Sequence, residues 1–184
     1  MEENIKLCDG VIFVLDARAP FACRNVTLEK KLANRPFLYV LNKCDLISES
    51  ERDYIVSYFA KEGIKVVTSV GTVAGGCKNI FNAFKELLSE KIERNKAKGI
   101  NKTLRAMVAG VPNTGKSTVI NALCGKKAAM VGDKAGVTRG KQWIRLDGFE
   151  LLDTPGTMPP QIDNNLYGLH LAYIGSLNDN LFDV

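Results

Sequence analysis

Gly110-Val-Pro-Asn-Thr-Gly115-Lys116-Ser117 is the stretch that decides the fold. It fits G-x-x-x-x-G-K-[ST] and lies between an apolar run, Leu104 to Gly110, and a helical sequence, Thr118-Val-Ile-Asn-Ala-Leu123, the place a phosphate-cradling loop requires. At average residue usage the pattern arises by chance in roughly one chain in 150 of this length, and the flanking strand and helix make chance rarer still. Glycines let the backbone curl so that the amides from Asn113 to Ser117 converge on phosphate oxygens at a positive helix end. Pro112, Asn113, Thr114, Gly115, Lys116, Ser117 and Thr118 are therefore the candidate phosphate-binding residues. Lys116 is placed to reach β- and γ-phosphates, and the Ser117 hydroxyl to ligate Mg²⁺.

Outward from this loop the chain alternates apolar runs with helical periodicity. Gly10 to Asp16, Pro36 to Asn42, Ile64 to Ser69 and Leu104 to Gly110 are nearly continuous apolar runs, as expected of parallel strands buried on both faces. Glu49 to Lys61 reads as one helix and Asn79 to Asn95 as another, with Ile80, Phe84, Leu87, Leu88 and Ile92 forming a stripe that packs on the sheet. Lys141 to Asp147 and Phe149 to Asp153 flank Asp147-Gly148, a tight-turn dipeptide that predicts an antiparallel pair. A last helix, Leu166 to Leu177, follows the candidate caps Asp163 and Asn164 and places Leu166, Leu169, Tyr173 and Leu177 on one side. The expected fold is α/β: a three-layer P-loop NTPase sandwich around a six-stranded, mostly parallel sheet, with ligand at the strand C-terminal ends.

Composition narrows the class. The chain has 184 residues, 46% hydrophobic and 24% charged, with 16 Gly and 6 Pro, a globular composition that excludes collagen-like and disordered readings. No apolar run approaches the roughly 20 residues of a membrane span, and the first residues lack a signal-peptide pattern, so a cytoplasmic protein without a membrane partner is expected, as a monomer. Cys8, Cys23, Cys44, Cys77 and Cys124 are odd in number and form no C-x-x-C pair, which favours reduced thiols over disulfides or zinc. The formal charge of +5 favours an anionic partner without identifying it. The basic join from Glu93 to Thr103 reads either as a solvated helix end or as an RNA-facing patch.

Four further segments complete a nucleotide site. Leu151-Leu-Asp153-Thr-Pro-Gly156 ends an apolar strand with a carboxylate. D-x-x-G alone carries little weight, but after a P-loop Asp153 is placed to contact Mg²⁺ and the Gly156 N–H to reach the γ-phosphate. Between the two motifs, Thr138 in Ala135-Gly-Val-Thr-Arg-Gly140 can close over Mg²⁺ when a γ-phosphate is present, with a plain glycine-rich turn as the rival reading. Lys116, Thr138 and Gly156 are thus the candidate catalytic groups, and Ser117, Thr138 and Asp153 the candidate metal ligands. Asn42-Lys43-Cys44-Asp45 ends another strand, where Asp45 can accept the ring N–H and amine of guanine, a pattern adenine lacks. The rival there is a turn with a helix cap. Ser69-Val70, at the next strand end, fits a backbone contact to the guanine oxygen.

The order of these motifs is informative, because N-K-x-D precedes the P-loop. The chain resembles a circularly permuted GTPase, on Asp16-Ala-Arg-Ala-Pro20, Arg24-Asn25, Asn42 to Asp45, Gly110 to Thr118, Gly136 to Arg139 and Asp153 to Gly156. Among permuted families it is similar to ribosome biogenesis GTPase A, the YlqF type. The resemblance implies GTP or GDP and Mg²⁺ as ligands, K⁺ held beside the phosphates with help from Asn113, and a role in large-subunit maturation with ribosomal RNA and proteins as partners. It also implies a C-terminal helical domain. Since the sequence ends at Val184, the expectation is a single permuted G domain over 1–184 without it.

Turnover is expected to be slow. Ras-type enzymes orient the attacking water with a Gln beside the D-x-x-G glycine, but Thr157 and Met158 stand there. His170, the single histidine, reads as a partly buried surface residue on the last helix. The leading expectation is a GTPase stimulated by a ribosomal partner. The alternative is a nucleotide-gated RNA- or protein-binding scaffold with negligible hydrolysis. A P-loop ATPase or kinase is disfavoured by Asn42, Lys43 and Asp45.

Overall fold

A computed structural model describes residues 2–32, 34–100, 102–125, 142–146, 148–158 and 165–177. Its strands are β1 (Gly10–Asp16), β2 (Phe37–Asn42), β3 (Val66–Thr68), β4 (Leu104–Ala109), β5 (Gln142–Leu146) and β6 (Phe149–Asp153). They form a six-stranded sheet ordered β3-β2-β1-β4-β6-β5. All neighbours are parallel except β5 with β6. Seven α-helices accompany it among the described residues: α1 (Glu2–Leu7), α2 (Val26–Lys30), α3 (Glu49–Lys61), α4 (Asn79–Leu87), α5 (Ser89–Ala97), α6 (Lys116–Cys124) and α7 (Asn165–Tyr173).

The central strands are covered on both faces, which is why their sequences do not alternate with polar residues. Val11, Phe13 and Leu15 of β1 pack with Ile5, Leu28, Phe59 and Leu171 in one core. Ile12 and Val14 pack with Ile80, Phe84, Val119 and Ile120 in the other. The same division splits Tyr39 and Leu41 from Leu38 and Val40 on β2. Two helical layers therefore enclose the sheet, as a three-layer sandwich requires. Among the described residues, no helix is long and apolar enough to cross a membrane.

Strand and helix boundaries follow local chemistry. α3 begins at a capping box in which the Ser48 hydroxyl accepts from Glu51 N–H while the Glu51 carboxylate accepts from Ser48 N–H. Asp147 lies outside the described residues, but Gly148 takes φ +73 between β5 and β6, as the tight turn demands.

Three expectations are corrected and one open alternative is decided. β3 is an edge strand of half-buried and exposed residues, so its apolar run is covered less fully than the others. The single helix over Asn79 to Asn95 is two, α4 and α5, meeting at Leu88. There φ is −101° and the N–H is shared between the Phe84 and Lys85 carbonyls, a tightened turn that drives the Leu88 side chain into the core. The basic join is a solvated helix end, helical as far as Ala97, and Lys91 beside it and Lys102 within it reach the buried Asp9. Finally, α7 buries Gly168 and Leu171 and is followed by buried Ile174, whereas Leu166, Leu169 and Tyr173 are exposed. Nearly every position of this helix is apolar, so periodicity could not choose its face, and small Gly168 permits the close approach. Its candidate caps, Asp163 and Asn164, lie outside the described residues.

Candidate nucleotide site

The phosphate loop leaves the C-terminal end of β4 and enters α6. Gly115 precedes the helix at φ +86, and a Cβ there would stand 2.4 Å from Asn42 Nδ2, so both backbone shape and close approach require glycine. The Thr114 hydroxyl donates to the Val111 carbonyl at 3.1 Å. Lys116 Nζ donates to the same carbonyl at 3.1 Å, which curls the side chain across its own loop. Burial pushes this ammonium down to about 8, against the opposing pull of Asp153. Ser117 and Thr118 are half-buried on the first turn of α6.

The base-reading loop is tied directly to the phosphate loop. Asn42 ends β2, and its Nδ2 donates to the Thr114 carbonyl at 2.9 Å. Its Oδ1 accepts from the Ser69 hydroxyl at 3.1 Å and the Gly71 N–H at 3.0 Å. Lys43 Nζ donates to the Asn113 carbonyl at 2.7 Å. Asp45 follows in a 3-10 turn, Cys44–Leu46, with its side chain exposed to solvent. Ser69 and Val70 differ from expectation. The Ser69 N–H donates to Leu41 and the Val70 N–H to Gly76, so neither amide is turned toward a base, and the Ser69 hydroxyl braces Asn42.

The D-x-x-G segment closes the other side. Thr154 Oγ1 donates to the Val108 carbonyl at 2.8 Å, anchoring the segment to β4. The Thr157 N–H donates to the Gly110 carbonyl at 3.0 Å. A Cβ at Gly156 would meet Pro112 N at 3.0 Å, so glycine lets the segment approach the phosphate loop. Asp153 is 1% exposed, and neither carboxylate oxygen has a hydrogen-bond partner among the described residues. Burial raises its carboxyl above the usual range, with Lys116 pulling it back. An orphaned buried carboxylate is a hard-oxygen donor that fits Mg²⁺. Thr138 lies outside the described residues.

Sequence reasoning missed two parts of this constellation. The Asn113 amide donates to the Gly175 carbonyl and the Ser176 hydroxyl to the Pro112 carbonyl, so the turn after α7 is fastened to the phosphate loop. Nothing local in the sequence announces a contact spanning 62 residues. Asp16 is the other. It ends β1 opposite Asn42 and pairs with Lys43 at 2.8 Å. His170 is exposed, not partly buried, because its face of α7 points outward. It lines a cavity of about 530 Å³ between α3 and α7, whose walls contain none of the predicted site residues.

Comparison with known proteins agrees with this geometry. A family model described as 50S ribosome-binding GTPase matches residues 105–180. Ribosome biogenesis GTPase A of Priestia megaterium is 38% identical over 99% of this chain and 64% of its own length. Its Bacillus licheniformis counterpart is 40% identical over 99% and 65%. The chain thus spans about 65% of the length of these curated relatives. A crystal structure of GNP-bound YlqF from T. maritima superposes with a TM-score of 0.73 at 28% identity, covering 100% of this chain and 67% of that one. N-K-x-D thus lies ahead of the phosphate loop in the sequence and beside it in space, and over 99% of its length the chain is similar to ribosome biogenesis GTPase A.

Proposed function

We propose that this chain binds guanine nucleotide at the ends of β2, β4 and β6 and hydrolyses GTP as a switch in assembly of the large ribosomal subunit. The observation that carries the reading is the double tie of Asn42 and Lys43 to the Thr114 and Asn113 carbonyls. A base-reading loop and a phosphate loop so joined fit one nucleotide spanning both. Asp45, exposed at the rim, is suited to accept the two donors of guanine.

In hydrolysis, water adds to the γ-phosphorus, the bond to the GDP oxygen breaks, and phosphate leaves. Ser117 and Asp153, with Thr138, are the residues that would hold Mg²⁺, which supplies charge neutralisation to the phosphates. Lys116 would leave the Val111 carbonyl for the phosphates and regain its proton affinity there. Gly156 would offer its N–H to the γ-phosphate. Thr157 stands where Ras-type enzymes carry glutamine, and its buried Oγ1 has no partner among the described residues, so this chain lacks the usual water-orienting amide and its own turnover is slow. A ribosomal partner would complete the site. Asn113, at φ +61, is the residue we assign to K⁺. The name of the relatives, ribosome biogenesis GTPase A, supports a ribosome-related partner; a cytoplasmic monomer acting on ribosomal RNA and proteins is the finer part of this proposal.

Titration with fluorescent GDP and GTP, with ATP and xanthosine triphosphate as competitors, tests base choice. Phosphate release with and without large subunits then tests chemistry. Guanine-selective binding with slow, subunit-accelerated release is expected. Loss of guanine preference overturns the proposal, and selective binding without release under either condition favours a nucleotide-gated scaffold.

A further inference from the structure

Asp16 is a carboxylate hidden beneath the site. Its side chain is 0% exposed, yet three donors of Arg18 reach it: the backbone N–H at 3.1 Å, Nε at 3.0 Å and Nη2 at 2.8 Å. Lys43 Nζ is the fourth, at 2.8 Å. The same Nζ donates to the Asn113 carbonyl at 2.7 Å, so one ammonium bridges the end of β1 to the phosphate loop. Burial by itself would raise the Asp16 carboxyl, but hydrogen bonds from Arg18 and Lys43 outweigh it and hold the group below the usual carboxylate range. It is therefore charged at neutral pH.

The Lys43 backbone needs such an anchor. It adopts φ +62, ψ +35, the left-handed region that a non-glycine residue occupies only when its surroundings impose it. Its side chain has four rotatable bonds, and a lysine left to sample them loses entropy each time a ligand fixes it. A buried anion at the ammonium removes that freedom in advance. Asp16 lies within a residue register of Asn42, its neighbour across β1 and β2, so the parallel pairing that builds the sheet also sets the clamp beneath the base-reading loop.

We propose that Asp16 is a positioning residue for guanine-nucleotide binding, clamping the Lys43 ammonium against the Asn113 carbonyl and so preorganising the junction of the base-reading and phosphate loops. The proposal rests on the nucleotide reading above. Asp16 touches no reacting atom in this scheme; it acts through Lys43. Preorganisation of this kind serves GDP and GTP alike, because the junction lies between the base and the phosphates that both share, and it leaves the chemical step alone.

The test is a double-mutant cycle on the full chain, with dissociation constants for fluorescent GDP and GTP measured for wild type, Asp16→Asn, Lys43→Met and the double variant. Asp16→Asn is expected to weaken both nucleotides about tenfold, the size of one charge-assisted hydrogen bond, with phosphate release at saturation unchanged. In the Lys43→Met background the second substitution should add less than about twofold, since its route of action is already gone. Losses that multiply across the cycle, or an Asp16→Asn variant binding as wild type does, overturn the proposal. A wild type that does not select guanine fails the nucleotide reading itself and takes this inference with it. Should Asp16→Asn not fold, Asp16→Glu, which keeps the charge but displaces it by one methylene, runs through the same cycle with the same criteria.

Discussion

Lys116 and Asp153 are buried in the same site and pull each other's protonation in opposite directions from burial. The lysine is pushed down to about 8 from an ordinary 10.5, while the carboxyl is pushed up from 3.8. Each charge is disfavoured where it stands, and each is the charge that phosphate and a divalent cation reward. The arrangement is costly without ligand and favourable with it, the signature of a binding site rather than of a structural ion pair.

The pH dependence follows with a definite sign. Between about 8 and 10.5 the unfolded lysine still holds a proton that the folded one has lost, so the Lys116 contribution to nucleotide-free stability rises with pH across that window. Asp153 acts oppositely. Its folded carboxyl is raised, so its contribution is fully present below 3.8 and is lost as pH rises through the folded value. Binding reverses the lysine effect, because phosphate favours the ammonium. GDP affinity is therefore expected to fall as pH rises through about 8, and Lys116→Ala should flatten that limb. Titrations of both proteins at fixed ionic strength across this range check it; parallel profiles would remove Lys116 from the phosphate site.

Gly115→Ala tests the join between the two loops. The new Cβ would lie 2.4 Å from Asn42 Nδ2 at a residue held at φ +86, so either Asn42 or the loop must move and the bond to the Thr114 carbonyl is lost. A destabilisation of about 1–3 kcal/mol is expected from the backbone conformation and the broken buried bond, with nucleotide affinity falling more than tenfold. Denaturant melts and GDP titration of the same sample read the two effects. Gly125→Ala offers the contrast: also at positive φ but with nothing near its Cβ among the described residues, it should cost stability without that loss of affinity.

Much of this fold was legible because the central strands are buried on both faces. Gly10 to Asp16 and Phe149 to Asp153 match β1 and β6 at both ends, and Glu49 to Lys61 matches α3. Periodicity failed where it carries no information, as in α7, whose apolar residues surround the helix and whose buried face is chosen by Gly168 and Leu171. In the site, motif spacing located the P-loop and N-K-x-D because those loops are local in sequence. The clamp of Asp16 on Lys43 and the fastening of Ser176 to Pro112 join distant segments, and only strand register and helix packing bring them together. Ser69 shows a different limit: its place just past a strand end was legible, but the bond of its hydroxyl to Asn42 Oδ1 was not.

Asp45→Asn should change base choice rather than abolish binding. The side chain is exposed at the rim and makes no bond that holds the loop among those described, so the substitution leaves the fold alone. An amide still accepts from the guanine ring N–H on its oxygen, but its NH₂ opposes the exocyclic amine, whereas xanthine offers a carbonyl there. Guanine affinity is expected to drop about a hundredfold and xanthine affinity to gain, the scale on which a hydrogen-bonding site rejects a mismatched partner. Competition of xanthosine diphosphate against fluorescent GDP measures the shift, and an unchanged preference would place base recognition elsewhere.

Gly156→Ala separates the triphosphate from the diphosphate. A Cβ would press on Pro112 at 2.9 Å to Cγ and 3.0 Å to N, and since Pro112 is also held by Ser176 the clash displaces the D-x-x-G segment. The segment that moves carries the N–H offered to the γ-phosphate, so GTP affinity should fall about tenfold, the range of one hydrogen bond to a charged group, while GDP affinity stays within about twofold. Lys116→Ala differs in kind, because its ammonium serves phosphates present in both nucleotides, and both affinities should fall by about 10- to 100-fold. Paired titrations of the two variants with GDP and a non-hydrolysable GTP analogue decide the matter. Equal losses for both nucleotides in Gly156→Ala would mean that the clash distorts the phosphate loop itself and that Gly156 is not the residue sensing the γ-phosphate.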